Sequence, residues 1–121
     1  MASAKIMVAS GTGGIRIEIR KNLEKHYYNV VADAANQPDL IKNYKINKPD
    51  ILVLDLNLED GDATPCIKQI LDYDGKARII AISAIPDKQT IYNAITTGAK
   101  KFLPKPIDMN KLIDAIRTLL A

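Results

Sequence analysis

At 121 residues the chain is long enough for one domain with a substantial core and too short for two. Apolar residues make up 47% and charged residues 26%, which excludes a disordered chain, and no apolar run approaches the roughly 20 residues of a membrane helix. The 17 basic and 14 acidic residues leave a net charge of +3. They are spread along the sequence with no basic run among aromatics, so no nucleic-acid contact is expected. The N-terminus makes a poor signal peptide, and Cys66, the one cysteine, permits no internal disulfide, so a reducing cytoplasm is the expected location.

In chain order, short apolar runs alternate with helix-period segments. The strand candidates are residues 6–9, 30–32, 51–54, 79–82 and 101–103, each apolar as a strand buried on both faces requires. The first helix carries Ile15, Ile19 and Leu23 at a spacing of four, with Arg16, Arg20, Lys21 and Lys25 on a face expected to be solvated. The second opens at Pro38 and carries Leu40, Ile41 and Tyr44. The third is expected to use Thr64 as its cap and Pro65 at its first position, with Cys66 or Ile67, Ile70 and Leu71 inward. The fourth follows Pro86 and Asp87, carries Ile91, Ala94 and Ile95, and stops at Gly98. The fifth is capped by Asp108, repeats Met109, Leu112, Ile113, Ile116, Leu119 and Leu120, and is expected to reach Ala121 with no effector domain after it. Strands separated by single helices imply parallel pairing with right-handed crossovers, hence one doubly wound α/β sheet with helices on both faces.

Chemistry should gather at the carboxyl ends of such strands. Asp55 ends the third strand and opens the acidic loop Asn57-Leu58-Glu59-Asp60-Gly61-Asp62. Ser83 ends the fourth strand, and the fifth runs Phe102-Leu103-Pro104-Lys105-Pro106. The first strand ends without an acid, in Ser10-Gly11-Thr12-Gly13-Gly14. That glycine loop could cradle an anion, and Asp33 lies about 20 residues on, but a dinucleotide fingerprint fails where Arg16 replaces the third glycine. Anion or nucleotide binding is therefore a minor alternative. His26 reads as a solvated residue at a helix end, and the tyrosines are too scattered to stack bases.

Acid, hydroxyl and Lys-Pro at three successive strand ends resemble the response-regulator receiver domain, the CheY-like family, over essentially the whole chain, residues 1–121. The resemblance implies a flavodoxin-like (βα)5 three-layer sandwich with strand order 2-1-3-4-5, an order the family itself illustrates. It implies a signalling domain rather than an enzyme: Asp55 as phosphoacceptor, Ser83 and Lys105 as phosphoryl-binding groups, Phe102 as the switch aromatic, and a cis bond before Pro106. The implied partners are a sensor histidine kinase or phosphotransfer protein and a downstream effector. They would meet the surface of the fourth helix, fifth strand and fifth helix, where two copies of the chain could also pair.

The family's metal ion, magnesium, would fall to Asp55, the Asn57 backbone carbonyl and Glu59, weakly or not at all, because Ser10 and Gly11 stand where the family has an acidic pair. With those acids gone, Asp55 is expected to form a metal-independent ion pair with Lys105 that holds the site shut. The alternative function is a phosphorylation-independent pseudo-receiver, a protein-interaction module on the same fold.

Overall fold

The computed structural model describes residues 3–85 and 87–121, so Pro86, expected just ahead of the fourth helix, lies outside the described residues. Five parallel strands form one sheet: β1 (Lys5–Ala9), β2 (Asn29–Ala34), β3 (Ile51–Asp55), β6 (Ile79–Ser83) and β7 (Lys101–Pro104), in the order β2-β1-β3-β6-β7. This is the order 2-1-3-4-5 once the chain's extra hairpin is set aside. That hairpin, β4 (Asn57–Leu58) and β5 (Gly61–Asp62), is antiparallel and stands where the sequence suggests only a loop. The helices are α1 (Gly13–Lys25), α2 (Gln37–Asn47), α3 (Thr64–Tyr73), α4 (Lys88–Thr97) and α5 (Met109–Leu120).

Side chains alternate across each strand, so the central strands feed two cores. Met7, Leu52, Leu54 and Ile79 join Leu40, Tyr44, Ile67, Ile70 and Ala94 from α2, α3 and α4. Ile6, Val8, Ile51, Val53, Ile80 and Ile82 join Ile19 and Leu23 of α1 and Leu112 and Ile116 of α5. Burial on both faces explains why these strands read as unbroken apolar runs.

Helix ends follow local chemistry, with some shifts from the expected positions. Asn36 caps α2 by accepting from the Asp39 amide at 2.9 Å, and Pro38 sits within the first turn. Asp87 caps α4 through the Thr90 amide at 2.7 Å, and Asp108 caps α5 through the amides of Asn110 and Lys111. Thr64 is not the cap of α3 but its first residue. Asp62 Oδ1 accepts from both the Thr64 amide and its hydroxyl, taking over that role. Gly98 ends α4 at φ +135°, where an added Cβ would meet Leu71 Cδ1.

Candidate functional site

Strand register brings the chemistry together. β3 pairs with β6 so that Asp55 lies opposite Ile82, and β6 pairs with β7 so that Ser83 lies opposite Pro104. The Lys105 amide donates to the Ser83 carbonyl at 2.9 Å, extending the ladder one residue past β7. The Lys105–Pro106 peptide bond is cis. On the other side of β3, the Ser10 amide donates to the Ala34 carbonyl at 3.0 Å, so Ser10 is also fixed at a strand end.

The Asp55 carboxylate is buried, with 1% of its surface exposed, and every donor around it is identifiable. Its Oδ2 accepts from Ser10 Oγ at 2.7 Å and from Lys105 Nζ at 2.6 Å. Its Oδ1 accepts from the Asn57 amide at 3.0 Å. The ion pair expected between Asp55 and Lys105 is thus formed. A buried charge is tolerable when it is paired and hydrogen-bonded, and this one meets both conditions.

Ser10 stands where the family has an acid and offers a neutral hydroxyl. It is fully buried, and its hydroxyl also accepts from the Thr12 amide at 3.1 Å as α1 begins. Arg16, expected on a solvated helix face, turns back onto the end of β1 instead, where its Nη1 donates to the Ser10 carbonyl at 2.6 Å. Arg20 similarly reaches the Val30 carbonyl at 3.4 Å and the Asp33 carboxylate at 3.8 Å. A spacing of four marks the helix face but cannot show that the end of β1 passes beneath it.

Ser83 sits in the same mouth yet is turned to the loop that follows it. Its Oγ accepts from the Ile85 amide at 3.0 Å and lies 3.4 Å from the Ile85 carbonyl. Phe102 is half-buried on β7 and packs against the α2–α3–α4 core. A cleft of about 260 Å³ lies beside Ser83, lined also by Asn57, Asp62, Thr64, Thr90 and Asn93.

The β4–β5 hairpin closes the remaining side. The Gly11 amide donates to the Asn57 carbonyl at 3.1 Å, and the Glu59 amide donates to the Ala35 carbonyl at 2.9 Å. Asp60 accepts from the Gln37 amide at the start of α2. A Cβ placed on Gly11 would lie 2.8 Å from the Glu59 nitrogen, 2.9 Å from the Leu58 carbonyl carbon and 3.0 Å from the Asn57 oxygen. These are all backbone atoms, so no side-chain rotation relieves the contact.

This arrangement does not suit a magnesium ion, which needs near-octahedral oxygen ligands at about 2.0–2.1 Å, usually including one or two carboxylates. Asp55 has donors on both oxygens, Ser10 offers a neutral hydroxyl, and Gly11 offers neither a ligand nor room for one. The Asn57 carbonyl already accepts from the Gly11 amide and keeps one lone pair, a single neutral ligand, and Glu59 is exposed with its peptide tied to Ala35. Among the described residues, no cluster of three His, Cys, Asp or Glu side chains could hold a metal ion.

Two other groups are shifted by their surroundings. Burial pushes the Cys66 thiol up, aided by the charges of Asp60 and Asp62. Burial and the bond from its hydroxyl to Asp74 Oδ2, at 2.9 Å, hold the Tyr44 phenol well above its ordinary range. Both are structural groups of the α2–α3 side, away from Asp55.

Residues 6–117 match the model of the response regulator receiver domain. The chemotaxis protein CheY of Bacillus subtilis is 31% identical over 116 residues, covering 96% of this chain and 97% of that protein. CheY of Thermotoga maritima is 28% identical over 112 residues, covering 93% of each. Among solved structures, a LuxR-family two-component response regulator from Aurantimonas aligns with a TM-score of 0.91 at 29% identity, over 98% of this chain and 85% of that one. CheY in the CheX–CheY–BeF3–Mg complex of Borrelia burgdorferi shares the fold with a TM-score of 0.92 at 23% identity, over 98% and 90% of the two chains. Such domains are signalling modules that interact with histidine kinases and downstream effectors, and they generally bind magnesium at the phosphorylation site. With the sheet order, the Asp55–Lys105 pair and the match across residues 6–117 in agreement, this chain belongs to the response regulator receiver family, with Ser10 and Gly11 at the end of β1.

Proposed function

We propose that this chain is a receiver domain that works by protein contact, with Asp55 serving as a structural anchor of its switch centre rather than as a metal-assisted phosphoacceptor. The observation that carries this reading is the engagement of both Asp55 oxygens, by Ser10 and Lys105 on one and by the Asn57 amide on the other, in a pocket that is almost fully buried. A carboxylate acts as a nucleophile through a free lone pair with room for the attacked group. Here three donors occupy about three of the carboxylate's four lone-pair sites, in surroundings that leave almost none of its surface open.

The contact surface in this reading is the face of α4, β7 and α5. Ile85, Tyr92 and Ile95 are exposed there, and an apolar groove runs along α4 between Lys88, Ile91, Tyr92, Ile95 and Thr96. A downstream effector is the partner we assign to it, and a second copy of the chain would compete for the same face. We place the protein in the cytoplasm with the rest of two-component signalling.

A second reading keeps the ordinary role, with phosphate on Asp55 supplied by a histidine kinase or phosphotransfer protein, Ser83 and Lys105 receiving the phosphoryl oxygens, and Phe102 responding. The placing of Asp55 and Ser83 at neighbouring strand ends, with Lys105 paired to Asp55 and Ser83 lining the 260 Å³ cleft, favours it. Intact mass after incubation with a small-molecule phosphodonor, with and without magnesium, separates the two. No adduct is expected. An adduct that Asp55→Asn abolishes would establish the second reading.

A further inference from the structure

We propose that Gly11 excludes divalent metal from this pocket by docking the β4–β5 hairpin. Its missing side chain lets the peptides of Asn57, Leu58 and Glu59 rest on the end of β1, where they occupy the space that a metal-bearing side chain would need. This inference rests on the reading of Asp55 as a structural anchor and explains what keeps that anchor in place.

Three ties make the hairpin an unyielding wall. The Asn57 carbonyl accepts from the Gly11 amide, the Glu59 amide donates to Ala35, and Asp60 accepts from the Gln37 amide. The first joins the hairpin to β1, the second to the end of β2, and the third to the start of α2. A side chain at position 11 would press on backbone held at all three points. The site cannot make room by a rotamer change, and something must shift by several tenths of an ångström.

Metal exclusion is therefore a property of packing as well as of lost charge. Supplying a carboxylate at Ser10 does not restore a seat, because Ser10 is fully buried against Asp55 and the hairpin still covers Gly11. Gln37 ties the hairpin to the first turn of α2, its amide donating to Asp60 and its side-chain amide to the Asp62 carbonyl.

The test is an amide NMR spectrum of the whole chain with manganese as a paramagnetic probe, and with magnesium in large excess over a salt control. Broadening should leave the amides of Gly11, Asp55 and Asn57 no more affected than other amides. Gly11→Ala should lower the melting temperature by several degrees and shift the amides of residues 57–62. Gly14→Ala is the control, because a Cβ there meets nothing within 4 Å, and it should leave the hairpin unshifted and the melting temperature equal or higher. Selective broadening of Gly11, Asp55 and Asn57 in the parent protein would overturn the proposal, as would a Gly11→Ala protein with the parent's melting temperature and hairpin shifts. Failure of the functional reading looks different. A phosphoryl adduct formed on Asp55 without metal overturns that reading and leaves metal exclusion standing, whereas selective manganese binding without an adduct does the reverse.

Discussion

Ser10 and Lys105 donate to the same oxygen of Asp55, at 2.7 and 2.6 Å, from opposite sides of the β3 end. One donor is a neutral hydroxyl fixed at the end of β1, and the other a cation carried one residue past β7. Together they tie three strand ends across the centre of the sheet, so the carboxylate acts as a clasp.

Removing the hydroxyl tests the β1 half of that clasp. Ser10→Ala deletes a buried hydrogen bond to a charged group, and about 1.5–3 kcal/mol of stability should go with it. Urea unfolding measures the change. A loss below about 0.5 kcal/mol would mean that Lys105 alone satisfies the carboxylate.

The β7 half is a partly buried ion pair. Lys105→Ala leaves the Asp55 charge buried beside two neutral donors and should cost about 3 kcal/mol, the low end for such pairs because the lysine retains some solvent contact. Adding Asp55→Asn removes the uncompensated charge, so the double variant should be more stable than Lys105→Ala alone. A double variant that is less stable, with the two losses simply adding, would show that the pair is not coupled.

Gly98 ends α4 in a conformation that L side chains rarely adopt, and its missing Cβ makes space for Leu71 of α3. Gly98→Ala combines backbone strain with a steric clash and should cost more than about 1 kcal/mol. In a Leu71→Ala background the glycine substitution should cost less by the steric part while the strain remains. Equilibrium unfolding of both single variants and the double variant separates the contributions.

Asp87 gives the α4 cap a pH dependence of known sign. The Thr90 amide, and then the Thr90 side chain, hold its carboxyl below the usual range. A lowered folded value means that the cap's contribution is fully present above the ordinary aspartate pKa of about 3.9 and is lost as pH falls through the folded value. Amide exchange in the first turn of α4 should therefore quicken on acidification. Asp87→Asn keeps an acceptor but does not titrate, so it should flatten that response.

Cys66 should react slowly. Its thiol is buried, donates to Gln37 Oε1 at 3.6 Å, and is held above its ordinary pKa by burial and by two nearby acids. Alkylation at mildly alkaline pH should be far slower in the native protein than in urea. Because the folded value is raised, any stability this group contributes is present below the ordinary thiol pKa and falls as pH rises through the folded one.

The sheet was legible from one-dimensional pattern because parallel strands buried on both faces must be apolar throughout. Residues 51–54 and 79–82 announce themselves in that way, and Asp87, Gly98 and Asp108 announce the helix ends beside them. The positions of Asp55 and Ser83 at strand ends followed from the same pattern, whereas Lys105, one residue past β7, was marked by the Lys-Pro motif of the resemblance. The absence of acids at Ser10 and Gly11 was equally plain in the sequence. What replaces them was not. The Ser10–Asp55 bond spans 45 residues, and the Arg16–Ser10 contact depends on where α1 crosses the end of β1. The fit of Gly11 beneath residues 57–59 depends on a hairpin of two-residue strands, too short to leave a periodic signal. Local chemistry selects strands, helices and caps, but only the packing of distant backbone segments decides whether the space beside Asp55 admits an ion or is filled by the chain itself.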